Sequence, residues 1–282
     1  MIDRIDAVAA DIDMTLTAKG GALPEITKKA FDLLHEKGVK IGLATGRTIE
    51  GNLYDFGKNW GLDFEFDFIV GLNGGMVYNR EKDTLWSIDK MTIADMKAIL
   101  TYMMPLIDRY KIAINAEGGN TNAMNIGPEL IASSRRHGFN FIDKTGDIDG
   151  FCNTRAYKML FRTEAEHDQE VRDYFLKKFG DRFQIVGTFP GTVEIMQKGV
   201  DKGTGLQKYA DQEEIDMKNI ITFGDSENDD AMLKRSGWGV CLKDGTDGTK
   251  ACSDAITEYN CDEGGVGHYL FDHYIIPKGL ED

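Results

Sequence analysis

Asp11 and Asp13 stand two residues apart, directly after the apolar run from Ile5 to Ala10. If the extended conformation continues through them, both carboxylates project to one side. Two carboxylates held that close repel each other, and a hard divalent cation with oxygen ligands relieves the repulsion. A second acidic run, Gly224-Asp225-Ser226-Glu227-Asn228-Asp229, also follows an apolar stretch, and Asp225 and Asp229 supply further oxygens. A magnesium site built from one or two carboxylates, waters and a phosphate is the economical reading. For the Asp-x-Asp spacing alone a plainer reading, a solvated turn or a helix N-cap, is preferred. The recurrence of acid after a buried strand weighs against it. Neither run is an EF-hand, whose sixth and twelfth positions require Gly and Glu. Those positions are Leu16 and Ala22 in the first run, and Asp230 and Ser236 in the second.

Two further clusters have residue types suited to an anion. Thr45 and Gly46 would present a hydroxyl and backbone N–H groups at a helix start, although Thr-Gly is also a common strand-to-helix turn. Lys202, within Gly199-Val200-Asp201-Lys202-Gly203-Thr204-Gly205, would hold a phosphate as a point charge beside a helix N-terminus. A lone lysine among glycines is more often exposed. The five histidines show no metal-ligand spacing, and Met91, Met96, Met103 and Met104 read as core. No dinucleotide fingerprint, P-loop, H-E-x-x-H or G-x-S-x-G occurs.

These clusters need a scaffold that gathers them. Ala7 to Ala10, Val39 to Ala44 and Ile220 to Gly224 are short runs apolar on both faces, as in strands buried in a parallel sheet. Each ends in one of the polar clusters, and ligands bind at the carboxyl ends of strands in such sheets. Helical patterns alternate with these strands, and Phe68 to Leu72 reads as another strand leading into Asn73-Gly74-Gly75. From about Asp89 the rhythm changes to a separate α+β block, and after Gly199 the first rhythm returns. The expected architecture is an α/β core made from both ends of the chain, a Rossmann-like parallel sheet, with an α+β domain inserted. The expected boundaries are 1–85 with 197–282 for the core and 86–196 for the insert.

Composition narrows the partners. With 41% hydrophobic and 28% charged residues the chain is globular. Its 33 Lys+Arg against 47 Asp+Glu leave a net charge of −14, which disfavours nucleic acid and anionic membrane surfaces. The four cysteines form no C-x-x-C pair, and the N-terminus carries no signal-peptide pattern, so a cytoplasmic protein is expected. The sequence sets no oligomeric state.

In combination the motifs resemble the haloacid dehalogenase-like (HAD) phosphatases. They are Asp11-Ile12-Asp13-Met14-Thr15-Leu16-Thr17, Ala44-Thr45-Gly46-Arg47, Asn73-Gly74-Gly75, Val200-Asp201-Lys202-Gly203 and Gly224-Asp225-Ser226-Glu227-Asn228-Asp229-Asp230, in that order. Glu263 to Val266 is similar to the closing segment of the Cof-type branch, and the insert is similar to that branch's α/β (C2B-type) cap. The resemblance implies that Asp11 is the nucleophile of an aspartyl-phosphate and that Asp13 is the general acid and base. It implies that Thr45, Gly46 and Lys202 bind the phosphoryl group. Mg²⁺ would sit on Asp11, the Asp13 carbonyl and Asp225, with Asp229 and Asn228 close by. Arg47, Asn73 and Asn228 are candidate substrate contacts, and the loops Gly118 to Asn122 and Phe189 to Thr192 are candidate cap contacts. The family commonly has Gly where Met14 stands. The implied substrate is a small phosphorylated metabolite, with sugar phosphates among the candidates. A phosphomutase of related fold and a catalytically silent metal- or metabolite-binding regulator are the alternatives.

Overall fold

The computed structural model of the protein describes residues 3–18, 21–49, 52–117, 121–137 and 139–281. The chain divides into two compact units, Met1–Ser87 with Val200–Asp282, and Ile88–Gly199. Five strands precede the second unit: β1 (Ala7–Ala10), β2 (Lys40–Ala44), β3 (Phe68–Gly71), β4 (Met76–Asn79) and β5 (Thr84–Ser87). The second unit holds β6 (Ala113–Glu117), β7 (Thr121–Met124), β8 (Phe141–Asp143), β9 (Lys158–Arg162), β10 (Phe183–Phe189) and β11 (Thr192–Gln197). The first unit resumes with β12 (Ile220–Gly224), β13 (Trp238–Cys241) and β14 (Ala255–Ile256).

Among the described residues the first unit forms an eight-stranded sheet of order β14-β13-β12-β1-β2-β3-β4-β5. The α/β class expected from the alternating pattern is what is found. The run from β14 to β3 is parallel, as expected, and β1 lies between β12 and β2. The other edge departs from expectation, because β4 and β5 pair antiparallel. The cause is chain length: turns this short can join only antiparallel neighbours. The first turn needs left-handed backbone at Leu72, Asn73 and Gly74, and the second at Asp83. All four residues of β1 are buried, as strands covered on both faces require. Small side chains also matter one strand over. A Cβ on Gly42 would lie 2.4 Å from the Phe68 ring, and that ring stacks on Tyr209 of the Lys202–Glu213 helix at 3.9 Å between centroids.

The second unit is a six-stranded sheet of order β10-β11-β9-β6-β7-β8, antiparallel except for β7 with β8. One face packs Ile114, Met159, Phe161, Val193 and Ile195 against the helices Ile93–Tyr110 and Asp168–Phe179. Met91, Met96 and Met103 are buried in this core and Met104 packs against it, as their spacing suggests. Among the described residues no helix is long and apolar enough to cross a membrane.

Candidate active site

Parallel pairing places the ends of β12, β1 and β2 side by side. Asp225, Asp11 and Thr45, spread over more than two hundred positions of sequence, therefore meet at one edge of the sheet. The chain departs on opposite sides of β1, which is the crevice where open α/β sheets bind ligands.

Lys202 reaches this edge from a helix. Asp201 caps the Lys202–Glu213 helix, accepting from the Thr204 N–H at 2.7 Å while the Thr204 hydroxyl answers in a capping box. Glycines let the helix start press against its neighbours. A Cβ on Gly203 would fall 2.5 Å from the Ala231 carbonyl oxygen, and one on Gly205 would fall 2.7 Å from the Gly74 Cα. Gly74, at φ +98°, lies so near that its own Cβ would meet the Asp201 carbonyl oxygen at 2.0 Å. The Asn73-Gly74-Gly75 turn and the Asp201-Lys202-Gly203 helix start thus form one packed corner. The exposed lysine favoured by its glycine-rich surroundings is overturned, because Lys202 is 0% exposed. Its Nζ donates to Asp11 Oδ1 at 2.7 Å and to Asp229 Oδ1 at 2.6 Å.

Carboxylate oxygens of Asp11, Asp225 and Asp229 lie within 4.8 Å of one another. Three carboxylates therefore share one ammonium, and full ionisation leaves two negative charges without a partner. The ionisation equilibria reflect this imbalance. Burial foremost, opposed by Lys202 and reinforced by Asp229 and Asp13, pushes Asp11 up to about 7. Burial, then Asp229 and Asp11, push Asp225 up to about 8 against the pull of Thr15 and Lys202. Burial would lower the Lys202 ammonium, but Asp11 and Asp229 outweigh it and hold it above its ordinary value.

The hydrogen bonds separate the roles of the three acids. Both Asp229 oxygens are engaged: Oδ1 accepts from Lys202, and Oδ2 accepts from the Asp225 and Ser226 N–H groups at 2.9 and 3.1 Å. Asp229 therefore shapes the turn that presents Asp225. Asp225 Oδ1 accepts from the Thr15 hydroxyl at 2.8 Å. Oδ2 of Asp11 and Oδ2 of Asp225 accept no hydrogen bond among the described residues, so these oxygens are open to a cation. Hard oxygen donors with uncompensated charge fit a divalent ion such as Mg²⁺.

Asp13 lies apart from that cluster. The chain leaves the extended conformation after Ala10 and turns, with Met14 at φ +67° and its N–H donating to the Thr17 carbonyl at 2.9 Å. The continued strand that would align Asp11 and Asp13 does not occur. Asp13 instead forms a two-pronged pair with Arg47, Nε to Oδ2 at 3.0 Å and Nη2 to Oδ1 at 2.7 Å.

Thr45 is buried, and its Oγ1 accepts from the Arg47 N–H at 3.2 Å. The Asn73 N–H donates to the Thr45 carbonyl at 3.0 Å, and Asn228 Nδ2 donates to Asn73 Oδ1 at 3.1 Å. That same Oδ1 would sit 3.1 Å from a Cβ on Gly46. Thr45, Gly46, Asn73 and Asn228 thus form a second polar string along the edge. Thr15 was not among the sequence candidates. Its only sequence signal is its place two residues after Asp13. Of the cap loop candidates, Gly118, Gly119 and Asn120 lie outside the described residues. The region Glu164, Glu166 and His167 also groups three ligand-type side chains, both acids being exposed.

Fold and site together define an α/β enzyme with an acidic centre at the ends of its parallel strands. The sequence pattern of the haloacid dehalogenase-like hydrolases matches residues 8–270. A Haemophilus influenzae protein provisionally named a phosphatase is 29% identical over 269 residues, 94% of this chain and 95% of its own. The HMP-PP phosphatase of Yersinia pestis is 24% identical over 266 residues, 93% of each chain. A solved sugar phosphatase of HAD subclass IIB superposes with a TM-score of 0.78 at 20% identity, over 98% of this chain and 99% of its own. The chain belongs to the haloacid dehalogenase-like hydrolases, and it is an enzyme of the phosphatase class within them.

Proposed function

We propose that the protein is a Mg²⁺-dependent phosphatase that hydrolyses a small phosphorylated metabolite through a phosphoryl group carried on Asp11. The observation behind this reading is the fully buried Lys202 bridging Asp11 and Asp229 beside Asp225. Phosphoryl transfer needs positioning and neutralised charge more than covalent elaboration; this edge supplies the positions, and Lys202 together with a bound divalent cation would supply the charge. Asp11 attacks phosphorus, the bond to the leaving oxygen breaks, and Asp13 delivers a proton to that oxygen. Asp13, now a carboxylate, takes a proton from water, whose oxygen displaces Asp11 and releases inorganic phosphate. Lys202, the Thr45 hydroxyl and the Gly46 N–H bind the phosphoryl oxygens. Asp11 and Asp225 would hold the metal, together with the Asp13 carbonyl, while Asp229 positions Asp225. When bound, Mg²⁺ supplies the positive charge that lets Asp11 and a phosphate dianion share this space.

Arg47 has a defined part here. Its two-pronged pair holds the Asp13 side chain in place, and opening of the pair would free Arg47 for the substrate. Asn73 and Asn228 line the same edge as further substrate contacts. The Ile88–Gly199 unit is assigned the part of the inserted cap. The HMP-PP and sugar phosphatase likenesses support a small phosphorylated substrate without naming it. The test is phosphate release from an aryl phosphate with Mg²⁺, followed by a panel of phosphorylated metabolites. Turnover that survives Asp11→Asn contradicts the nucleophile.

A further inference from the structure

Two sets of contacts fix Asp225, one on its backbone and one on its carboxylate. Its N–H donates to Asp229 Oδ2 at 2.9 Å, and its carbonyl oxygen accepts from the Thr246 N–H at 2.8 Å. The lack of a side chain at Gly245 lets the second contact form. A Cβ there would lie 2.9 Å from the same carbonyl oxygen and 2.6 Å from Cys241 Sγ. These bonds hold the backbone but leave the carboxylate free to turn about its side-chain bonds. Among the described residues a single hydrogen bond holds the carboxylate itself, from the Thr15 hydroxyl to Oδ1 at 2.8 Å.

Thr15 reaches Asp225 from the turn that follows β1, at a distance of 210 positions in sequence. That turn is closed on itself. The Leu16 and Thr17 N–H groups donate to the Ile12 carbonyl at 3.1 and 3.0 Å, and the Met14 N–H donates to the Thr17 carbonyl at 2.9 Å. Thr15, Leu16 and Thr17 are all buried, Thr15 at 1% exposure. The hydroxyl therefore has a fixed position and little competition from water, and its one proton goes to Asp225. A hydroxyl donating to a carboxylate is a charge-assisted bond that favours the ionised acid. With Oδ1 spent on Thr15, Oδ2 is the oxygen left to face a cation.

We propose that Thr15 is a positioning residue for the metal: its hydroxyl sets the rotation of the Asp225 carboxylate so that Oδ2 points where the cation binds. The inference rests on the phosphatase reading, which makes Asp225 a metal ligand. It assigns the orientation of that ligand to a residue of the nucleophile's own loop, whereas Asp229 and Thr246 hold only the backbone. Partners that orient a metal ligand in this way typically contribute about 10–100-fold to metal affinity.

The test is a calorimetric titration of the substrate-free full chain with Mg²⁺ at one pH. Thr15→Val keeps the shape of the side chain and removes the proton, so its Kd for Mg²⁺ should rise about 10–100-fold. Thr15→Ser keeps the hydroxyl and should return the Kd close to that of the unsubstituted chain. Thr15→Ala, which crowds nothing, carries the same prediction as Thr15→Val should that variant fail to fold. A merely structural role predicts a lower Tm in these variants with the Kd unmoved. Mg²⁺ binding that is lost in Asp225→Asn but unchanged in Thr15→Val and Thr15→Ala overturns this inference alone, as does a Thr15→Ser variant as weak as Thr15→Val. No Mg²⁺ binding by the unsubstituted chain, or binding that survives Asp225→Asn undiminished, overturns the metal assignment and this inference with it.

Discussion

Replacing Asp11 by Asn should destroy activity and stabilise the metal-free protein. Asp11 ionises near 7 instead of its ordinary 3.8, because it is buried and shares Lys202 with other carboxylates. At about 1.36 kcal/mol per pH unit, its ionised form costs the fold roughly 4 kcal/mol. The sign follows from linkage: between pH 3.8 and about 7 the folded state binds more protons than the unfolded state. Stability therefore falls as pH rises through that window, and the full penalty applies above it. Asn carries no such charge, and its Oδ1 can still accept from Lys202. With allowance for the lost ion pair, Asp11→Asn should gain roughly 2–4 kcal/mol above pH 7, or about 5–10 °C in Tm. The gain should vanish towards pH 4. Thermal denaturation in EDTA across this range reads it directly, and phosphate release reads the loss of turnover. A lower Tm for Asp11→Asn at pH 8 in EDTA refutes the argument from crowded charge.

Other perturbations test separate parts of the site. Lys202→Met strands the buried carboxylates of Asp11 and Asp229, so it should cost about 3–5 kcal/mol at pH 8 in EDTA and abolish turnover; unchanged denaturation would show that the ammonium does not hold the corner together. Arg47→Gln removes the two-pronged pair that holds the Asp13 side chain in place. It should lower kcat/KM for alkyl phosphates by about 10–100-fold and for p-nitrophenyl phosphate much less, since that leaving group needs little protonation; equal losses would remove Arg47 from the acid–base step. Met14→Gly removes a side chain from left-handed backbone, where non-glycine residues are strained by roughly 1–2 kcal/mol. It should raise or preserve Tm in denaturation scans, and a fall would mean that the Met14 side chain packs more than it strains.

Several parts of this structure were legible in the chain. Ala7 to Ala10 read as a strand because small apolar residues without alternation fit a doubly covered parallel sheet, and the acids after it read as an edge cluster. Met91, Met96, Met103 and Met104 likewise read as core, and they are buried in or packed against it. What escaped depends on contacts between distant residues. Lys202 was marked as a phosphate-binding residue only by the family resemblance, because nothing along the chain shows that Gly74, Gly203 and Gly205 let its helix start close onto the sheet edge. The Asp13–Arg47 pair escaped because the turn at Met14, unusual for a residue with a Cβ, takes Asp13 off the strand line. Strands β4 and β5 escaped because their turn residues resemble any loop. In β9 the burial of Lys158 and Arg162 depends on partners across the sheet that the strand itself does not encode.

If the reacting phosphoryl group passes through Asp11, mass spectrometry of peptides from enzyme acid-quenched during turnover with Mg²⁺ will find a phosphoryl-mass increment on the peptide spanning Asp11 and none in Asp11→Asn. Steady turnover with that peptide unmodified, or with the increment on another residue, rules out Asp11 as the nucleophile.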